Sequence, residues 1–479
     1  MSGRTFLQHL DWALTVDAGD TVQRDATVVI AGDRIEAIGP TTSVLAGHPP
    51  GPDDLVRDGT GMGVVPGLVD THVHLSETLA RGCFPDEVDT RAWVFNWMMP
   101  FYGQMSVEDE RVSVLLAAAE MLRSGTTCFL DMGAIRDPHV TVAALASTGI
   151  RGVTSRHAAD TPPDPVPDTW PPELVERQFF PNATVALEAL GRCVTELDGA
   201  GDGRIRCWVN IQGKEPCSAE LHVGARVLAE ELGVGTTYHI ASTQKEADLI
   251  ERRYGLTPVA RIAELGGLGP NLVLAHAVAV TEPEVELLAR HGTSVAFCPG
   301  TALKLAKGAT VTGRYPEMID AGVTVGLGTD GTSASGNLNL LRQTYLVAGL
   351  FKDARRNAGL GGARQALRMA TIDGARALGL DDETGSLEAG KKADLVLFDL
   401  AHAEWATYGD PLQALVWSAS SASIAETWVD GRRLYDGVGI TTIPDEAGLR
   451  AEGRRCMTEL ITRAGLDRPD VGLTTSTYG

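Results

Sequence analysis

The string Val64-Val-Pro-Gly-Leu-Val-Asp-Thr-His72-Val-His74 ends an apolar run in two histidines one residue apart. Successive side chains of a strand alternate between faces, so residues i and i+2 project the same way. His72 and His74 can therefore place two imidazoles on one side of a strand end, half of a transition-metal site. Three more polar side chains, His239, His276 and Asp330, end segments that are otherwise apolar or built of small residues. Each alone reads better as a satisfied core histidine or, for Asp330, an aspartate capping a following helix. Brought to one rim, the set reads as a metal centre. Imidazole nitrogens and a carboxylate suit one divalent ion, Zn2+ by preference, with Fe2+ and Co2+ as alternatives.

Such a rim requires parallel strands that end on the same side. From His72 onward strand and helix signals alternate, the mark of βαβ units. Strand segments follow at 126–132, 150–156, 205–211, 235–241, 272–277, 293–298 and 323–330, with helices at 108–123 and 218–232 among those between them. The pattern predicts a (β/α)8 TIM barrel, an α/β fold whose chemistry sits at the C-terminal strand ends. An open doubly wound sheet is the alternative, but no Gly-x-Gly-x-x-Gly follows an early strand.

Residues 5–65 read as short strands, with a hairpin turn at Gly32-Asp33. A similar pattern returns at 393–400 and in a hairpin turning at Asp430-Gly431. These ends predict a small β-sandwich domain assembled from both termini. The expected division is 1–65 and 381–445 for the two parts of the sandwich, 66–380 for the barrel, and 446–479 for a C-terminal helix and tail. The Pro-rich stretch 161–172 reads as a long loop.

A formal charge of −21 excludes the dense basic surface that nucleic acid needs and disfavours an anionic membrane. A small, neutral or weakly charged substrate is expected. Seven scattered cysteines without a Cys-x-x-Cys pair indicate neither a disulfide framework nor a thiolate zinc ribbon. The N-terminus lacks the apolar core of a signal peptide and no long apolar run follows, which reads as cytoplasmic. Symmetry priors favour an even-numbered homo-oligomer.

The string Pro66-Gly-Leu-Val-Asp-Thr-His72-Val-His74 and the Gly328-Thr-Asp330 ending of the last barrel strand resemble the amidohydrolase superfamily. The chain is similar to its cytosine deaminase/atrazine chlorohydrolase-like branch. Ser124-Gly-Thr-Thr, Gly255-Leu-Thr-Pro, Cys298-Pro, Leu303-Lys-Leu and Gly385-Ser-Leu-Glu-Ala-Gly-Lys-Lys-Ala-Asp-Leu extend the likeness over nearly the whole chain. The resemblance implies one metal held by His72, His74, His239 and Asp330, with His276 beside the electrophilic centre. A divalent metal lowers the pKa of bound water from about 16 towards 7. Asp330 would then shuttle the proton, and His276 would polarise the developing oxyanion.

Three departures bear on the substrate. Deaminases of the branch usually carry a Glu three residues after the fifth-strand histidine, where it protonates a ring nitrogen; here Ser242 follows His239. Gln212-Gly-Lys-Glu-Pro replaces a His-Ala-Pro-Tyr-like segment, and Thr301-Ala302 replaces Ser-Asn. A substrate with no ring nitrogen to protonate would not need the missing acid. The leading expectation is therefore hydrolysis of a urea, carbamate, thiocarbamate or amide, as in the phenylurea and thiocarbamate (molinate) herbicide hydrolases. An aminohydrolase of a heteroaromatic base or s-triazine is second, and a non-catalytic metal-bearing barrel third. Ser242, Gln212, His157 and Cys298 are expected to face the substrate, with Trp93 and Trp97 forming an apolar wall. Lys214 reads either as a solvated lysine or, if carboxylated, as a bridge to a second metal. Glu246 or Glu77 would have to stand in for the missing acid, but their positions disfavour that role.

Overall fold

The computed structural model describes residues 3–467; the tail expected after the C-terminal helix, 468–479, lies outside them. The N-terminal segment forms β1 (Thr5–Leu14), β2 (Val22–Ala31), β3 (Arg34–Pro40), β4 (Leu55–Asp58) and β5 (Met62–Pro66). β2 and β3 pair antiparallel up to Ala31 opposite Arg34, which leaves Gly32-Asp33 as a two-residue turn. Gly32 supplies the positive φ of +63° that such a turn demands.

Nine segments follow: β6 (Leu68–Val73), β7 (Thr126–Asp131), β8 (Gly152–Thr154), β9 (Ile205–Cys207), β10 (Val209–Gly213), β11 (Thr236–Ile240), β12 (Leu272–His276), β13 (Ser294–Phe297) and β14 (Val325–Leu327). They lie in the orders β6-β7-β8-β9 and β10-β11-β12-β13-β14, every pairing parallel. β9 and β10 are one barrel strand interrupted at Trp208. The Trp208 N–H bonds back to the Thr154 carbonyl at 3.1 Å, whereas Val209 already bonds forward to Gly235. The indole occupies the place a side chain at Gly235 would fill, its Cε2 being 2.6 Å from a Cβ built there. The continuous strand expected over 205–211 therefore splits where the chain changes partner.

The barrel closes between β14 and β6. The Thr71 hydroxyl donates to the Leu327 carbonyl at 2.9 Å, and the Asp330 N–H donates to the His72 carbonyl at 2.8 Å. The eight strands of a (β/α)8 barrel are thus present, and helices cover their outer face. Helix Val107–Arg123 begins in a capping box between Ser106 and Asp109, and helix Ala219–Leu232 runs from Ser218 to a left-handed Gly233. Both lie within one residue of their expected bounds, because caps mark helix ends in the sequence itself.

The chain then returns to the first sheet through β15 (Leu395–Asp399), β16 (Ile424–Val429) and β17 (Arg432–Tyr435). The strand order is β17-β16-β15-β5-β1-β2-β3, with β4 also on β1. This is the small β-domain built from both ends, with Leu10, Val28, Ile35, Val64, Leu395 and Trp428 in its core. The buried Arg151 guanidinium joins it to the barrel, donating to Asp394 at 2.8 and 3.3 Å and also reaching Asp430. Helix Glu446–Arg463 packs Cys456 and Leu460 into a cluster with Trp97 and Phe101. Among the described residues no helix is long and apolar enough to cross a membrane.

Candidate active site

The C-terminal ends of β6, β11, β12 and β14 converge, and the five residues singled out on the sequence meet there. His74 Nε2 and His239 Nε2 are 3.2 Å apart. Asp330 Oδ1 lies 3.6 Å from His72 Nε2 and 3.5 Å from His74 Nε2, and its Oδ2 lies 3.7 Å from His276 Nε2. Potential ligand atoms of His72, His74 and His239, and of His72, His276 and Asp330, lie within 4.8 Å of one another, so the two trios share His72. The rim backbone is strained: Lys214, Ala241, His276, Ala277 and Asp330 all have φ between 45° and 73°. Each left-handed non-glycine residue costs roughly 1–3 kcal/mol, and such residues gather where function fixes a side chain.

The tautomers follow from the partners. His239 Nδ1 is 2.9 Å from the Gln212 carbonyl, which can only accept, so Nδ1 carries the hydrogen and Nε2 turns a lone pair inward. Both ring nitrogens of the buried His72 lack a hydrogen-bond partner. Burial pushes His74 down to about 3 and His239 and His276 well below the usual imidazole range, so all three are neutral at pH 7. Burial alone would raise Asp330, but the neighbouring His72, His276 and His74 rings hold it well below the carboxylate range. Neutral imidazoles around one carboxylate, with orphaned nitrogens at their centre, fit a single divalent metal ion.

Several residues that fix this geometry were given no settled role on the sequence. Asp70 ties β6 to β14, accepting from the Thr329 hydroxyl at 2.5 Å, the Thr329 N–H at 3.1 Å and the His72 N–H at 3.2 Å. Glu77 lies 3.6 Å from His74 Nδ1, accepts the Tyr102 hydroxyl at 2.7 Å and also accepts from Ser333. Burial pushes its carboxyl up to about 8, so it is protonated at neutral pH. Gly331 is required here: a Cβ at that position would stand 1.8 Å from Glu77 Oε2. Lys307 was assigned nothing on the sequence, yet its buried Nζ lies 3.2 Å from His276 Nε2.

The remaining candidates distribute as follows. Ser242 is buried and accepts from Lys214 Nζ at 2.6 Å, while the same ammonium pairs with Glu246 at 2.9 Å. A carboxylated Lys214 would set an anion against Glu246; as an ammonium it is neutralised by it. Gln212 Oε1 meets His157 Nε2, and burial pushes His157 down to about 4. Cys298 lies behind the site: its Sγ is 2.9 Å from where a Gly328 Cβ would be, the same distance as His72 Cβ. Trp93 and Trp97 pack on Phe84, with ring centroids 6.3 and 5.9 Å away, in the cluster under the C-terminal helix. A cavity of about 600 Å³ lies elsewhere, lined by Arg81, Arg123, Arg342, Glu446 and Met457, and includes none of these residues.

Comparison with known proteins agrees with this geometry. The amidohydrolase family profile matches residues 64–434. The chain is 33% identical over 448 residues to a 5'-deoxyadenosine deaminase of Methanosarcina acetivorans, covering 94% of this chain and 96% of that one. It is 34% identical over 419 residues to a 5-methylthioadenosine/S-adenosylhomocysteine deaminase of Moorella thermoacetica, covering 88% and 92%. An adenosine deaminase of Xanthomonas campestris with bound zinc superposes with a TM-score of 0.83 at 27% identity, over 96% of this chain and 98% of that one. Atrazine chlorohydrolase of Arthrobacter aurescens, complexed with zinc, gives 0.81 at 25% identity, over 95% and 100%. Barrel, rim and relatives together define a metal-dependent hydrolase of carbon–nitrogen bonds other than peptide bonds. The chain belongs to the amidohydrolase family.

Proposed function

We propose that the protein is a zinc aminohydrolase that replaces the exocyclic amine of a heteroaromatic base with oxygen and releases ammonia. This reverses the order of preference drawn from the sequence, where ureas and carbamates came first. The observation that carries the reading is likeness over nearly the full length to curated deaminases of adenine nucleosides, in a chain that brings His72, His74, His239, His276 and Asp330 to one point.

His72, His74, His239 and Asp330 would hold the metal. When bound, a divalent ion brings the pKa of a water molecule from about 16 towards 7, so that a nucleophile exists at neutral pH. Asp330 takes the proton of the attacking water and hands it to the departing amine. Ser242 answers for the missing glutamate: its oxygen accepts from the Lys214 ammonium, which leaves its own O–H free to donate to a ring nitrogen. Lys214, held by Glu246, can then restore that proton. His276 Nε2 must be an acceptor, because the Lys307 ammonium beside it can only donate; polarisation of the developing oxyanion therefore passes to Lys307.

Ser242 also favours the urea and carbamate reading as a second one, since such substrates need no acid at that position. One assay separates them. The zinc-loaded protein is offered 5'-deoxyadenosine, 5'-methylthioadenosine, cytosine and an aminotriazine beside a phenylurea and a thiocarbamate. Ammonia from a ring amine is the expected product. Aniline or thiol release with no ammonia would replace the proposal by the second reading.

A further inference from the structure

The site contains a cation without a counter-ion. Lys307 follows the short helix Pro299–Lys304 and is 6% exposed, and among the described residues its Nζ has no carboxylate within 4.0 Å. Its one side-chain partner is the neutral His276 ring. The other lysine of the rim differs, because Lys214 is paired with Glu246. Asp330 is turned towards His72, His74 and His276, its oxygens lying 3.5–3.7 Å from their Nε2 atoms.

The Lys214 ammonium is matched by Glu246, whereas among the described residues no carboxylate is paired with Lys307. An unbalanced charge in such surroundings is expensive to bury, and a ligand of opposite charge removes that expense. Nζ of Lys307 has spent one N–H on His276 and has two left to donate. Its bond to the same Nε2 that faces Asp330 places it beside the reacting centre rather than at the mouth.

We propose that Lys307 is the specificity-determining residue of this site and selects a heteroaromatic substrate bearing an anionic oxygen, either a carboxylate or a deprotonated ring oxygen, next to the carbon that is attacked. The inference builds on the aminohydrolase reading only for the aromatic amine. The anion requirement comes from Lys307 itself.

The test uses ligands that carry no amine to lose, so binding is read without turnover. Calorimetric titration of the zinc-loaded protein at pH 7 compares orotate with uracil (carboxylate) and urate with hypoxanthine (ring oxygen). At least one anion is expected to bind tenfold or more tightly than its neutral counterpart. Lys307→Met should reduce that preference to within about twofold, and Lys307→Arg should restore most of it. If both anions bind no better than the neutral rings, the proposal is overturned by the wild-type protein alone, whatever the variants do. A preference that survives in Lys307→Met would assign it to the metal instead and also overturn the proposal. Absence of ammonia release in the earlier assay, with this preference intact, would remove the aminohydrolase reading and leave the anion site standing.

Discussion

At the scale of single residues, chemistry turns on which nitrogens hold lone pairs and which carboxyls hold protons. His239 is oriented by the Gln212 carbonyl, which turns its unprotonated Nε2 towards His74, while the His276 Nε2 lone pair accepts from the Lys307 ammonium. Asp330→Asn keeps the shape but removes the proton acceptor. Turnover by the metal-loaded variant should fall by roughly 10²–10⁴, read as initial rates of ammonia release. A rate within threefold of wild type would refute the shuttle. The five converging residues were legible in the sequence because each ends a strand pattern. Lys307 and Asp70 were not, and Glu77 stood out only as a disfavoured stand-in acid. Lys304-Leu-Ala-Lys307 looks like a solvated turn, and Asp70 in a buried strand looks like an interruption; their roles exist only once β6, β12 and β14 stand side by side.

At the scale of elements, two buried contacts hold the rim in place and respond differently to perturbation. Arg151, at the start of β8, binds Asp394 and Asp430 of the β-domain. This explains why Asp394 sits inside the string Lys391-Lys-Ala-Asp-Leu that marks the return to that domain. Arg151→Met leaves Asp394 buried without its cation and should cost about 3–5 kcal/mol in urea denaturation. A loss below 1 kcal/mol would show that the pair is dispensable. His222 on helix Ala219–Leu232 faces Tyr238 of β11, with ring centroids 5.1 Å apart. Burial pushes it from 6.5 down to about 4. The unfolded chain binds the proton first, so His222 has no effect above pH 6.5. Between 6.5 and 4 it should remove about 1.4 kcal/mol of stability per pH unit, and below 4 no more. His222→Gln should flatten the stability profile by that amount in denaturation at pH 7 and pH 5; identical slopes would contradict the shift. The break at Trp208 was invisible beforehand, because a change of hydrogen-bonding partner leaves no trace in an apolar run.

At the scale of the whole molecule, a strongly acidic chain buries one lysine, Lys307, beside its histidine cluster with no carboxylate paired to it among the described residues. The formal charge of −21 suggested a neutral or weakly charged substrate, whereas the anion preference proposed above rests on the one buried Lys307, Lys214 being matched by Glu246. Net charge governs solubility and long-range steering, whereas a desolvated pocket is governed by the few charges inside it. The architecture was readable because period-two and period-3.6 patterns alternate along the middle of the chain and Gly-Asp and Asp-Gly turns mark hairpins at both ends. The substrate class was not, since one serine in place of a glutamate weighs less than likeness along nearly the whole chain. Everything proposed for the reaction depends on the histidine cluster binding a divalent ion. The direct measurement is metal content by mass spectrometry of the purified protein beside folded His72→Ala and His239→Ala variants, all dialysed against the same zinc buffer. The expected result is about one equivalent per chain in the wild type and less than a tenth of that in either variant. Equal metal in all three, or none in an active wild type, would contradict the account.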